Sequence, residues 1–289
     1  MDGFDAVART ALLTTALRAR ETARPDRLYE DPHAARLAGA MGVDLFDQLA
    51  DSGPPSSPGP DGQVPNTVDY NAIRTRFFDE WLPARAGALG DRAQVVMVAA
   101  GMDTRAHRLP WPGPVRLFEL DRAAVLEAKD AALADVPLHP HVTRHTVPAD
   151  LTREDWPEDL RRAGYRPDVP SVWLLEGLLY YVPEEDSRAL LDRVARMMAP
   201  GSELGADLVS ASALTAPVMA PLLERFQQWG CPWVFGHDEP ETFFAEHGLK
   251  VEALQPGEEG ADYGRWADPV PPRDLPGVPR AFYVHGRRV

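Results

Sequence analysis

Residues 95–121, VVMVAAGMDTRAHRLPWPGPVRLFELD, constrain the fold more than any other stretch. An unbroken apolar run from Val95 to Ala100 ends at Gly101, and a second, Val115 to Leu120, ends in acid at Glu119 and Asp121. A strand buried on both faces reads as such a run, and a following glycine permits a sharp turn. The spacing predicts Gly101 at the top of a parallel sheet and a carboxylate about 20 residues later, where nucleotide folds hold a ribose diol. An adenosine-containing cofactor follows from that pairing.

The turn narrows the choice. A dinucleotide site wants three glycines, so that pyrophosphate can approach the backbone at a helix N-terminus. Here Ala99-Ala100-Gly101-Met102-Asp103-Thr104-Arg105 offers one glycine, with an acid where phosphate would lie. Asp103 repels phosphate but suits the ammonium and sulfonium of S-adenosylmethionine; a nicotinamide cofactor is the alternative. In the plainer reading, Gly101 only turns the chain and Asp103 only caps a helix.

Composition sets outer bounds. The 289 residues suit one large domain or a domain with an insertion, and 44% of them are hydrophobic, enough for a sizeable core. A net charge of -14, from 30 Lys+Arg against 44 Asp+Glu, disfavours general nucleic-acid affinity. Cys231 is the only cysteine, so neither an intrachain disulfide nor a cysteine zinc cluster can form. The first twenty residues lack a cationic leader, and no stretch approaches the roughly 18 apolar residues of a membrane helix. The expectation is a cytoplasmic protein that engages neither membrane nor nucleic acid.

Along the chain, Phe4, Val7, Ala8, Ala11, Leu12 and Leu17 fall near helical spacing over 4–20. Asp31-Pro32 offers an N-cap with proline at N1 for a second helix to about Met41. Residues 51–65, rich in Pro, Gly and Ser, read as an exposed, mobile loop, and a helix from Val68 to about Leu82 follows. Thereafter strands near 95–100, 115–120, 142–147, 171–176, 203–209, 249–255 and 280–285 alternate with helices near 122–134, 152–163, 185–199 and 239–247. Such alternation marks a parallel α/β sheet. The aromatic segment 212–238 interrupts it and reads as a helical lid over the sheet's C-terminal edge, where ligands bind. Residues 1–90 are expected to form a helical cap with a flexible loop, and 91–289 the α/β domain.

Strand ends carry the candidate chemistry. Asp150 followed by Leu151 could accept from an adenine amino group and cover a ring face, or Asp150 could cap the helix after it. Glu176, directly after Val172-Trp173-Leu174-Leu175, is costly to bury without a cation beside it. Arg76 and Arg20 could capture a carboxylate bidentately. His237 or Tyr180 could serve as a general base. His139, His141 and His145 lack a partnering acid motif, so no metal site is expected.

The run AAGMDTRAHRL, then FELD with KD shortly after, then ADL and LLEGLLYY, resembles the leucine carboxyl methyltransferase-like family of S-adenosylmethionine-dependent methyltransferases, its polyketide O-methyltransferase type above all. ARETARPDRLYEDPHA and RTRFFD resemble the family's N-terminal blocks, so the likeness covers most of residues 6–255. It implies a class I, Rossmann-like, seven-stranded, mostly parallel sheet with helices on both faces, extra N-terminal helices and a lid. It also implies Gly101 under the methionine moiety, Asp121 on the ribose hydroxyls, Asp150 and Leu151 around adenine, Glu176 near the ammonium or sulfonium, and Arg76 on the cofactor carboxylate, with Arg20 near cofactor and substrate. Ala99-Ala100-Gly101 departs from the acid and extra glycines common in class I enzymes. The function implied is O-methylation of a small hydroxyl- or carboxyl-bearing polyketide or aromatic metabolite. The alternatives are an adenosylmethionine-binding cyclase or isomerase, a non-catalytic relative, and a methyltransferase of a protein's C-terminal carboxylate.

Overall fold

The structure, a computed structural model, describes residues 6–50 and 66–289. Phe4 and the expected loop at 51–65 lie outside the described residues. Seven strands form one sheet: β1 Ala93–Val98, β2 Val115–Asp121, β3 Val142–Pro148, β4 Ser171–Leu175, β5 Glu203–Val209, β6 Leu249–Leu254 and β7 Ala281–Arg288. Their order is β3-β2-β1-β4-β5-β7-β6. The first five strands pair in parallel, and β7 runs antiparallel to both β5 and β6. From β1 the chain winds outward through β2 and β3, then crosses back to β4 and β5. A crevice at the C-terminal ends of β1 and β4 follows from that reversal.

The period-2 alternation of the strands explains the unbroken apolar runs. Val96, Val98, Phe118, Leu120, Trp173 and Leu175 face one core, shared with Trp156 of α6 (Trp156–Arg162) and Leu190 of α7 (Glu184–Met197). Val95, Met97, Leu117, Val172 and Leu174 face the other, shared with Ile73, Phe78 and Trp81 of α3 (Asn66–Ala88). With helices on both faces, every position of the central strands β1 and β4 is buried, at about 1.5–3 kcal/mol for each large side chain. At Gly205 of β5 an added Cβ would lie 2.9 Å from the Trp81 ring, so glycine there sets how closely α3 approaches the sheet.

Element boundaries differ from expectation where local geometry intervenes. β1 ends at Val98 because Ala99 takes φ +56°, the left-handed region, and Gly101 follows at +48°. The second helix, α2 (Ala34–Ala50), runs beyond Met41 across a break at Gly39, φ 55° and ψ -169°. A one-turn helix, α4 (Arg105–Arg108), stands where none was expected. After β3 the helix starts at Trp156 rather than Thr152, because Asp150 Oδ1 accepts from the Thr152 hydroxyl (2.6 Å) and amide (3.1 Å) in a turn. The lid segment contains short 3₁₀ turns and α8 (Ala220–Gln228), and Leu222 and Phe226 pack with Leu13 and Leu17 of α1 (Ala6–Ala23). The remaining helices are α5 (Ala123–Ala132) and α9 (Pro240–Ala245).

Candidate functional site

A cleft of about 280 Å³ opens over the C-terminal ends of β1, β2 and β4. Gly101, Asp103, Asp121, Asp150, Leu151, Glu176 and Tyr180 all line it. One stripe of α1, Val7, Ala11, Thr14 and Arg18, forms the opposing wall. A Cβ added at Gly101 would stand 3.0 Å from that of Ala11, so helix and turn meet at glycine distance.

Asp121 sits where β2 ends. Its Oδ2 accepts the Gly101 amide at 2.7 Å, and its Oδ1 accepts the Arg122 amide at 2.7 Å. Each oxygen keeps a second lone pair for a hydroxyl donor. Burial raises its pKa, against the opposing pull of those two amides. Just past the end of the neighbouring β3, the Thr152 hydroxyl and amide hold the Asp150 carboxyl below its usual range.

The floor is a chain of ion pairs. Arg105 reaches Asp79 (2.8 Å), Asp103 (2.6 Å) and Glu176 (2.7 Å). Arg74 lies 3.0 Å from Glu176 and 2.7 Å from Asp207. Arg108 bridges Asp79 (2.6 Å) and Asp31 (3.7 Å), and Arg18 pairs with Asp31 at 2.9 Å. Burial alone would raise Asp103 and Asp31; the adjoining guanidiniums, Arg105 foremost for Asp103 and Arg18 for Asp31, hold both below their usual value. The chain joins five carboxylates to four guanidiniums, leaving one negative charge in excess beside the cleft. A methionine tail with ammonium, carboxylate and sulfonium carries a net single positive charge, so the donor set fits it.

Three expected residues stand elsewhere. Arg76 donates to the Leu28 carbonyl (2.9 Å), pairs with Glu80 and stacks over Tyr263, so Arg74 is the α3 arginine at the cleft. Arg20 stacks over Phe46 at 5.0 Å, and Arg18 takes the cleft position, donating to the Met102 carbonyl at 2.6 Å. Both corrections have one cause, since residues two apart on a helix point about 200° apart. Tyr70, Ile73, Phe77, Phe78 and Trp81 mark the buried stripe of α3, and Arg74 belongs to it. His237 stacks on Phe243, its Nδ1 accepts the Glu239 amide (3.1 Å), and it lines no described cavity.

Asp207 was not anticipated. Fully buried near the end of β5, it accepts from the Gly177 amide (2.6 Å), the Tyr70 hydroxyl (2.6 Å) and Arg74 (2.7 Å). An acid inside the apolar run Leu204-Gly205-Ala206-Asp207-Leu208-Val209 was the available signal, the same one that marks Glu176. Lys129, also buried, donates to the Asp103 carbonyl (3.1 Å) and pairs with Glu119 (2.7 Å), fixing the turn from behind.

A second, more apolar chamber of about 380 Å³ adjoins the cleft. Thr10, Thr14, Asn71, Tyr180 and Tyr181 line both spaces. Leu13, Leu17, Leu222, Phe226 and Trp233 supply much of its apolar wall. Among the described residues no helix is long and apolar enough to cross a membrane, and no His, Cys, Asp and Glu cluster could hold a metal ion.

Comparison with known proteins gives concordant results. A family model described as leucine carboxyl methyltransferase matches residues 11–195. A Parafrankia sp. protein, provisionally named an S-adenosyl-L-methionine-dependent methyltransferase, is 46% identical over 203 residues, 70% of this chain and 63% of that protein's own length. A Mycobacterium marinum protein of the same provisional name is 40% identical over 265 residues, 88% of this chain and 79% of its own. Two crystal structures share the fold. One is a DUF574 family protein from Streptomyces avermitilis (TM-score 0.63, 16% identity, 97% of each chain covered). The other is a provisionally named methyltransferase from Thermobifida fusca (TM-score 0.58, 19% identity, 93% of this chain and 96% of that one).

Proposed function

The chain belongs to the leucine carboxyl methyltransferase family and is a methyltransferase dependent on S-adenosylmethionine; from that premise we propose that it methylates an oxygen of a small, largely apolar metabolite bound in the second chamber. The observation that carries this reading is the shared wall, since Asn71, Tyr180 and Tyr181 line both the chamber and the cofactor cleft. Small-molecule sites are mostly apolar with few polar groups, as this chamber is.

Bound S-adenosylmethionine supplies an activated methyl group on its sulfonium. The chain's residues then have to hold, align and exclude water. In this reading Asp121 accepts the ribose hydroxyls, and Asp150 and Leu151 frame the adenine. Glu176 and Asp103 face the cationic tail, Arg74 and Arg18 its carboxylate.

Tyr180 serves as a hydrogen-bond donor rather than a base. Burial, and then the Asp207 charge, push its phenol well above the usual value, and Arg74 donates to its oxygen at 3.1 Å. A phenol held protonated can offer its own hydrogen to an acceptor oxygen but cannot take a proton at neutral pH. That favours an acceptor that arrives already ionised, a carboxylate, over a hydroxyl.

The test is methyl gain by mass spectrometry across apolar carboxylic acids and their hydroxyl analogues, with S-adenosylhomocysteine counted in step. Methyl esters from the acids are expected; an enzyme that methylates only the hydroxyl analogues would refute the carboxylate reading. The family description favours a second reading, methylation of a leucine carboxylate at a protein's C-terminus. A peptide ending in leucine, run in the same assay, separates the two.

A further inference from the structure

Three arginines are buried among the described residues: Arg74, Arg105 and Arg280. The first two meet carboxylates, but Arg280 has none within 4.0 Å among the described residues. Its Nη1 donates to the Val278 carbonyl (3.0 Å) and its Nη2 to those of Leu275 (2.8 Å) and Pro272 (2.5 Å). Its Nε is buried without a partner. The residue is only 9% exposed, and its amide is fixed by Ser210 Oγ at 2.9 Å. Carbonyl dipoles solvate a guanidinium but leave its charge uncompensated, and an uncompensated buried charge is costly.

Arg280 lines the apolar chamber but not the cofactor cleft, as do Gln255 and Asp268. We propose that Arg280 is a specificity-determining residue that binds a second carboxylate on the acceptor, so that the preferred substrate is a dicarboxylic acid with an apolar spacer. One carboxylate lies at the Tyr180 seam and accepts the methyl group; the other takes the one Nη1 hydrogen that the loop carbonyls leave free, since Nη2 is spent on two of them and Nε is buried. Such a bond is charge-assisted, and the apolar walls between favour a hydrocarbon or aromatic spacer. Transfer forms the bond from carboxylate oxygen to methyl carbon, the electrons of the broken carbon–sulfur bond remain on sulfur, and no proton moves. This proposal rests on the chamber being the acceptor site.

The experiment compares suberic and sebacic acids with octanoic and decanoic acids, by calorimetric titration of the S-adenosylhomocysteine-loaded enzyme and by methyl-ester formation with S-adenosylmethionine. The diacids should bind about tenfold to a hundredfold tighter, as a charge-assisted bond implies, with the difference in KM rather than kcat. Arg280→Met should erase that preference while monoacid turnover persists. Arg280→Lys, which keeps the charge but not the loop contacts, should retain part of it even where Arg280→Met melts early. Equal binding of diacid and monoacid by the wild type, or a preference that survives Arg280→Met, overturns the proposal. Esters from monoacids without a diacid preference would do so while leaving the proposed function standing. Diacid binding that depends on Arg280 without any ester formed would do the reverse.

Discussion

Asp121 and Gly101 are tied by one 2.7 Å hydrogen bond that spans the first two strands. Asp121→Asn removes a charge the fold does not need, so folding should persist. Calorimetry should then show S-adenosylhomocysteine binding weakened by about 1.5–3 kcal/mol, as charge-assisted bonds to the ribose are lost. Wild-type affinity would remove Asp121 from the site. Because burial raises its pKa above the usual 3.8, Asp121 protonates earlier on acidification than an ordinary aspartate. Cofactor affinity should therefore begin falling above pH 3.8 in the wild type, and Asp121→Asn should lack that part of the pH profile. The two α3 arginines offer a paired test. Arg74→Met should cost cofactor affinity and stability together, whereas Arg76→Met, at a surface pair with Glu80, should change melting by less than about 1 kcal/mol. Residue types were legible at all these positions, but which of two neighbouring arginines faces the cleft depended on a helical phase the motif alone does not state.

At the scale of elements, α1 is held to the cofactor turn by Arg18, which bridges the Met102 carbonyl and Asp31. The Thr104 hydroxyl donates to the same Asp31 oxygen at 2.7 Å. Asp31→Asn keeps the shape and removes the charge, leaving Arg18 and Arg108 without their shared carboxylate. Breaking a buried pair this way costs about 3–5 kcal/mol, and denaturant unfolding should show it. A loss below about 1 kcal/mol would mean that Asp31 is dispensable to the network. The Asp31-Pro32 pair looks like a helix cap in sequence, and Oδ1 does accept the His33 amide at 3.2 Å, while Oδ2 is taken up by partners 13 and 73 residues away. Local pattern exposes the cap, whereas only the packing of α1 against the turn supplies the distant partners.

For the whole molecule, acid stability follows from the ion-pair chain. Asp31 and Asp103 are depressed below 3.8, so their contribution is present above that value and lost as pH falls through the depressed pKa values. Asp121, raised, acts with the opposite sign: its contribution is present below 3.8 and lost as pH rises through its folded value. The paired acids outnumber it, so circular dichroism should place cooperative acid unfolding below about pH 4. Saturating S-adenosylhomocysteine should raise the melting temperature at neutral pH, by about 2.7 kcal/mol of stability at a hundredfold excess over Kd.

All seven strands were legible in the sequence, β1 and β4 because a strand covered on both faces carries an unbroken apolar run, and the others because they recur between helices at the spacing of an α/β sheet. So was the cofactor class, because a lone glycine followed by acids suits a cation and not a pyrophosphate. Tertiary structure alone decided which arginines meet the cleft, that Asp207 anchors Arg74 and Gly177, and that a chamber lined by a buried guanidinium with no carboxylate partner among the described residues adjoins the site. Those features join side chains up to 133 residues apart, and such contacts are set by how helices pack on the sheet rather than by spacing along the chain.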